Sequence, residues 1–524
     1  MARAGTKRSL LAAAVVGAMA APLAACGASG SAAGTGSAGG VLKLASAIAG
    51  TGAGTVHLDP AKFITYGYEY RYAWPIYGGL LRPTADGTYV PDLAKSATVT
   101  SPTTISVELR PGLTFSDGEK LDANAVKAGV QRNLATTNKG AFNPLFFDIS
   151  SIDVQSATSL TIHLSQPVAG GFLPQLADEG FFIVAPKAAA SGTDETAPVG
   201  AGPFMFKSEQ PGQEITIVKN PRYWDAKSIR LSEVDFVNSD FGPQTVNQFS
   251  SGQINGVVGL PAADVSAVKA AGGSAKALFE DSQYLAVNLC KSSGPLADPR
   301  VRQALSYATD RSAINTGLLQ GQGQPMTALW SSASPWYASG NDTSLFDYNP
   351  TKAKSLLAQA GYPKGFSTTI AAAPDGPLST QAAQVLQSEW AQIGVRLTIV
   401  QSTNFYADVL SKHIVQTFVG SSGSAGLSKV TTFFSPQSFA DFCGYSNPEL
   451  NSLVSQAQTQ VAGTPAAKSI AAKIQNLVLG NALAIYIALR PYVIATTGGA
   501  NLPVVTPPNG GAPVADFWAA RAGS

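Results

Sequence analysis

The sequence predicts an α/β protein with parallel strand pairing, and three stretches carry the prediction. In DPRVRQALSYATD, Asp298 is placed to cap a helix, Pro299 suits its first position, and Val301, Ala304, Leu305 and Ala308 recur on one face. NPTKAKSLLAQAG repeats the arrangement, with Asn349 as cap, Pro350 as start, Ala353, Leu356, Leu357 and Ala360 as the stripe, and Gly361 as stop. A strand about Phe366–Ala371, a helix near Ser379–Ile393 ended by Gly394, and the alternating VRLTIV from Val395 then read as one βαβ unit, because short joints around a helix bring two strands in parallel.

From the N-terminus, the first nine residues carry Arg3, Lys7 and Arg8 without an acid, and Leu10 to Ala25 is apolar and small. That run is shorter than the roughly 20 residues of a spanning helix and has the layout of a secretory signal over residues 1–25. The tetrad LAAC ending at Cys26 resembles the lipobox of bacterial lipoproteins, which implies a lipidated cysteine as the first mature residue and stable anchoring by acyl chains. GASGSAAGTGSAGG follows, with too little apolar side chain to offset the entropy of ordering it. Residues 26–40 therefore read as lipid attachment and flexible tether, and the chain as anchored on the extracytoplasmic face of the cell membrane.

Removing residues 1–25 takes three basic residues and no acids, so 35 basic residues become 32 against 33 acidic ones. The remainder is near neutral and has no basic stripe, which argues against nucleic acid as a partner. No second apolar stretch is long and uninterrupted enough to span a bilayer. Cys290 and Cys443 are the candidates for a disulfide, the alternative being two free buried thiols.

Strands recur along the first half. TISVELR puts Ile105, Val107 and Leu109 on one face, and SLTIHL from Ser159 repeats the period of two. LRPGLTFSDGEKLDANAV (Leu109 to Val126) reads as a strand, a Pro-Gly turn, a short strand, an Asp-Gly turn and a capped helix. The glycines and prolines of PVGAGP from Pro198 predict a stiff crossing.

Taken in order, LDP (Leu58 to Pro60), IYGGLL from Ile76, PDLAK from Pro91, the Leu109–Val126 stretch, PVGAGPF, KNPRYW from Lys219, SGQIN from Ser251, DPRVRQALSYATDR, YNPTKAKSLLAQAGY and GYSNPEL from Gly444 resemble the solute-binding proteins of peptide-type ABC importers, the oligopeptide/dipeptide-binding family. The resemblance runs from about Leu58 to about Val504. It implies a two-lobed clamp of the type II binding-protein kind with an extra N-terminal subdomain. The first lobe would be 41–283 and 490–524 with the subdomain inserted at about 61–189, the second lobe 284–489, and PVGAGP a place where the chain changes lobe. It also implies a monomer that closes over a small solute or short peptide and delivers it to an ABC permease and its ATPase subunits, with no bond broken and no cofactor.

Peptide binders of this family commonly hold the peptide's amino terminus with an aspartate shortly after a Gly-Trp stretch. Here the region reads FVGSSGSAGLSKVTTF (Phe418 to Phe433), without acid or tryptophan. A buried ammonium lacking a carboxylate would be costly, so the hydroxyls of Ser421, Ser422 and Ser424 suit a neutral or anionic ligand better. The other candidates come from FITYGYEYRYAWPIY (Phe63 to Tyr77). Tyr66, Tyr70, Trp74 and Tyr77 share one face if it is helical; Trp74 and Tyr77 read as core, Tyr66 and Tyr68 as cleft. Trp330, after the Gly/Pro-containing GQGQPMTAL, is a further cleft candidate, set against burial under that loop.

The competing classes are a lipid-anchored hydrolase and a tethered solute sensor on the same fold. Only His57, His163 and His413 occur, His163 within a predicted strand, and there is no H-E-x-x-H, zinc-spaced cysteine pair or intact G-x-S-x-G. With so few imidazoles, direct metal chelation is disfavoured, and the chain reads as a binding protein rather than an enzyme.

Overall fold

The computed structural model describes residues 40–46, 56–63, 69–136, 144–239, 242–289, 291–326, 328–338, 346–373, 377–402, 405, 408–409, 412–420, 425–434, 445–497, 499–508 and 513–522. Two large sheets organise them. A seven-stranded sheet has the order Ser274–Leu278, Tyr492–Thr496, Gly256–Leu260, Gly40–Ser46, Leu231–Asn238, Glu214–Lys219 and Phe204–Gln210. Gly40–Ser46 pairs in parallel with both of its neighbours. A six-stranded sheet has the order Gln324–Pro325, Ala484–Leu489, Tyr284–Asn288, Thr417–Gly420, Ser367–Ala372 and Arg396–Val400.

The βαβ unit read from the sequence forms at one edge of the second sheet. Ser367–Ala372 and Arg396–Val400 pair in parallel, with Ile370 opposite Ile399, and the helix Pro377–Ala391 joins them. The two capped helices also form as the side chains dictate. Asp298 accepts the Arg300 N–H ahead of Pro299–Tyr307, and Asn349 accepts the Lys352 N–H ahead of Pro350–Gln359. Val301, Ala304, Leu305 and Ala308 are all buried, as are Ala353 and Leu357, so the stripes face the core.

A four-stranded antiparallel sheet, ordered Ala94–Ser101, Thr104–Leu109, Ser159–Leu164 and Ile149–Val154, is inserted within the chain that builds the seven-stranded sheet. Ile105 and Val107 sit opposite Ile162 and Leu160, which buries the apolar face that each period of two marks out. Asp122 caps the helix Ala123–Leu134 through the N–H groups of Asn124 and Ala125. Asp92 of PDLAK is fully buried and accepts bonds from the Tyr223 hydroxyl and from Trp224 Nε1 at 3.0 Å, both in KNPRYW. Arg110 lies 3.5 Å over the Trp224 ring, so three of the recurrent motifs meet at one point and serve packing.

The aromatic run becomes the helix Tyr70–Tyr77, and its face is core. Tyr70, Tyr72, Trp74 and Tyr77 are buried, with Trp74 against Trp518 at 4.3 Å between ring centroids. The Tyr72 and Tyr77 hydroxyls donate to the carbonyls of His57 and Leu58, pinning the LDP segment beside them. PVGAGP does not carry the chain between the large sheets. It returns the chain from the inserted sheet to Phe204–Gln210 and presses on that helix, where a Cβ at Gly200 would stand 2.2 Å from the Ile76 carbonyl oxygen. Its glycines serve close backbone approach; the crossings between sheets lie elsewhere. Among the described residues, no helix is long and apolar enough to cross a membrane.

Candidate functional site

The chain passes from the first large sheet to the second between Leu278 and Tyr284 and returns between Leu489 and Tyr492. At these crossings Arg490 donates its N–H to the Gln283 carbonyl at 3.0 Å and its Nη2 to Gln283 Oε1 at 2.7 Å, so the two connections run side by side. Two adjacent short connections between separately packed bodies are what a hinge requires.

Asp281, in the first connection, organises the neighbouring wall of the second sheet's body. Oδ1 accepts the Ser331 N–H at 2.7 Å and Lys429 Nζ at 2.9 Å, and Oδ2 accepts the Gly426 N–H at 2.8 Å. Lys429 is fully buried, donates also to the Leu329 carbonyl at 3.0 Å, and lies 4.4 Å over the Tyr284 ring. Burial lowers the Lys429 pKa and the Asp281 charge opposes that shift. Gly426 has φ of +55°, a conformation that favours glycine, and its carbonyl accepts Trp330 Nε1 at 2.8 Å. Trp330 in turn stacks on Trp336 at 6.5 Å between centroids.

Beside this wall lies a cavity of about 390 Å³ whose lining includes Trp330, Ser331, Met326, Tyr337, Arg311 and Asp347. Arg311 opens the helix Arg311–Leu318 and is held rigidly: Nε donates to the Tyr486 carbonyl, Nη1 to those of Ser306 and Phe346, and Nη2 to Ser306 Oγ. Burial pulls its pKa down to about 10, with the charges of Asp347 and Glu389 working against that shift. Glu389 lies behind it in the helix Pro377–Ala391, where Oε2 accepts the Asp310 N–H.

Burial pushes the Glu389 carboxyl from 4.5 to about 7. A folded-state pKa above the unfolded value means that the folded chain holds a proton the unfolded chain releases, so stability falls as pH rises from 4.5 to about 7. Glu389→Gln keeps an acceptor for the Asp310 N–H and carries no charge. It is expected to match the parent near pH 4.5 and exceed it by on the order of 3 kcal/mol at pH 8, measured by denaturant unfolding. Parallel pH profiles for the two proteins would contradict this.

Trp330 thus stands at the junction of the Gly426 loop and the cavity, itself 1% exposed. Tyr66, Tyr68, Ser421, Ser422, Ser424, Cys26, Cys290 and Cys443 lie outside the described residues. Asp281 and Arg490 escape sequence reasoning because no periodicity marks a hinge connection, and Lys429 because its partner Asp281 lies 148 positions away. Arg311 directly follows Asp310, which accepts the Ala313 N–H as the helix cap, and that cap was the available signal. No group of three metal-ligating side chains occurs among the described residues.

Comparison with known proteins agrees with this architecture. Residues 88–440 match the family described as bacterial extracellular solute-binding proteins, family 5. The glutathione-binding protein GsiB of Salmonella paratyphi A is 27% identical over 316 residues, 59% of this chain and 60% of the relative, so the chain spans about 60% of that relative's length. Among solved structures, the binding protein AgaA of A. tumefaciens R10, in complex with agropinic acid, is 26% identical with a TM-score of 0.72, covering 88% of this chain and 94% of its own. HbpA2 of Haemophilus parasuis superposes with a TM-score of 0.77 at 21% identity, covering 93% of this chain and 100% of its own. DppA of Helicobacter pylori, in complex with the peptide STSA, gives 0.72 at 20% identity, covering 91% and 98%. The fold is the two-lobed type II clamp with an extra N-terminal subdomain.

Proposed function

The chain belongs to the bacterial extracellular solute-binding proteins of family 5, and from that premise we propose that it captures a peptide or other small solute between two lobes and hands it to an ABC permease driven by ATPase subunits. The observation that carries the reading is the pair of adjacent connections at Gln283 and Arg490, with a ligand-sized cavity beside them. The lobes are assigned to 41–283 with 490–524, carrying the subdomain at about 61–189, and to 284–489. Tyr66 and Tyr68 are assigned to one wall of the cleft, and Trp330, Ser421, Ser422 and Ser424 to the other.

Glutathione and agropinic acid, bound by two relatives, support a small polar solute as the cargo. Matched relatives are binding proteins, which favours capture and release over turnover. Lipidation at Cys26, with residues 27–40 as the leash, would hold a monomer on the extracytoplasmic face of the cell membrane near its permease. Native mass spectrometry of the soluble form starting at Gly27, purified gently from its own host, tests the reading. A co-purifying small molecule is the expected result, and its mass gives the ligand class. A protein that arrives empty and shows no thermal shift with peptides, sugars or anions would overturn it.

A further inference from the structure

Among the described residues, the lining of the cavity beside Trp330 comes from residues between Thr309 and Tyr348 and from Leu489, in the body built on the six-stranded sheet. Two groups in its wall have hydrogen-bonding capacity or charge that the fold does not use up. Ser331 is 4% exposed, and its Oγ has no hydrogen-bond partner among the described residues. Buried hydroxyls are normally bonded, and one that faces a cavity is placed to bond what enters. Arg311 is 8% exposed, and the four bonds that fix its plane all go to neutral carbonyl or hydroxyl oxygens. Among the described residues no ion pair joins it to a carboxylate, although the charges of Asp347 and Glu389 act on it from farther away, and Arg311 lines the cavity.

The opposite charge is also in the lining. Asp347 is exposed at the cavity, and Asp310, whose side chain caps the helix Arg311–Leu318, lies beside it in the same wall. Trp330 and Phe346 add aromatic side chains to the lining. The volume is near the lower end of the range for small-molecule pockets, about 300–1,000 Å³, which excludes a long peptide.

We infer that this cavity binds an amino-acid-sized zwitterion, with its carboxylate at Arg311 and Ser331, its ammonium at Asp347 and its side chain against Trp330 and Phe346. The inference rests on the solute-binding reading above and narrows its cargo. It also provides a carboxylate partner for an ammonium at a place remote in sequence from the acid-free Gly/Ser loop.

Isothermal titration of the soluble chain starting at Gly27 tests this with L-leucine, L-phenylalanine, leucinamide (no carboxylate) and N-acetyl-leucine (no free ammonium). At least one amino acid is expected to bind at one site, with each blocked leucine analogue weaker than leucine by about tenfold or more. Asp347→Asn should weaken the amino acid by about tenfold and leave N-acetyl-leucine unchanged, and Ser331→Ala should weaken it severalfold, about fivefold. Ser331→Ala should keep the parent's unfolding midpoint, since among the described residues Ser331 Oγ has no hydrogen-bond partner.

Equal binding of blocked and unblocked leucine, or unchanged affinity in both variants, would overturn the inference. So would a lack of heat with amino acids while another solute co-purifies in native mass spectrometry, and in that case the solute-binding reading stands. Absence of any solute by every method would remove both.

Discussion

Asp281→Ala is expected to destabilise the protein by about 3–5 kcal/mol, the range for removing one partner of a buried ion pair. The substitution leaves Lys429, fully buried, without its counter-charge, and leaves the N–H groups of Ser331 and Gly426 without their acceptor. The Leu329 carbonyl and the Tyr284 ring remain for Lys429, and neither replaces a carboxylate. If the uncompensated charge dominates the loss, the double variant Asp281→Ala/Lys429→Met should recover at least about 2 kcal/mol relative to Asp281→Ala alone, because a neutral side chain of similar length fills the same slot. Denaturant midpoints for the two single variants and the double decide this. A double variant no better than Asp281→Ala would assign the loss to the backbone bonds instead. Since Asp281 ties a crossing to the loop that carries Gly426 and Trp330, solute affinity should fall with Asp281→Ala at temperatures where the protein is still folded.

The second large effect is expected at Arg132. Its Nη1 and Nη2 hold Asp59 at 2.6 and 2.7 Å, and Nη2 also reaches Asp194. The two carboxylates are 1% and 2% exposed. Burial works to raise both. At Asp59 the bonds and charge of Arg132 outweigh it and the pKa lies below the ordinary value, whereas at Asp194 burial and the Asp59 charge prevail and the pKa lies above it. In the parent, the Asp59 contribution is present above the unfolded pKa near 3.8 and is lost as pH falls through the lower folded value.

Arg132→Met leaves two buried carboxylates facing each other and should cost about 3–5 kcal/mol near pH 7. Without the guanidinium, both folded-state pKa values rise, so the folded variant gains protons that the unfolded chain does not, and the penalty should shrink as pH is lowered toward 5. Urea unfolding at pH 7.5 and pH 5 checks the sign. An equal penalty at both pH values would trace the loss to packing of the arginine stem and not to charge.

Those two clusters also mark what a linear reading reaches. Local chemistry was legible wherever a side chain acts on its own neighbours. Asp298, Asn349 and Asp122 all cap the helices they precede, because a short polar side chain can reach N–H groups only two or three residues on. Strand alternation likewise located Thr104–Leu109 and Ser159–Leu164 and the parallel pair around Ile370, since the period of two states which face is buried.

The recurrent motifs gave the family and the two-lobed α/β class, but not what the motif residues do. Asp59 of LDP is an ion-pair partner of a helix 73 positions away, and Asp92 of PDLAK bonds Tyr223 and Trp224 more than 130 positions on. The sequence by itself determined the elements, their caps and the kind of clamp they build. Tertiary structure alone decided that PVGAGP stays within one body, and that Asp281, Lys429, Trp330 and Arg311 come together by the crossings. The physical reason is range. Capping and periodicity are set by contacts within a turn or a strand, whereas charge pairing and cavity walls depend on which distant segments the fold brings within a few ångströms.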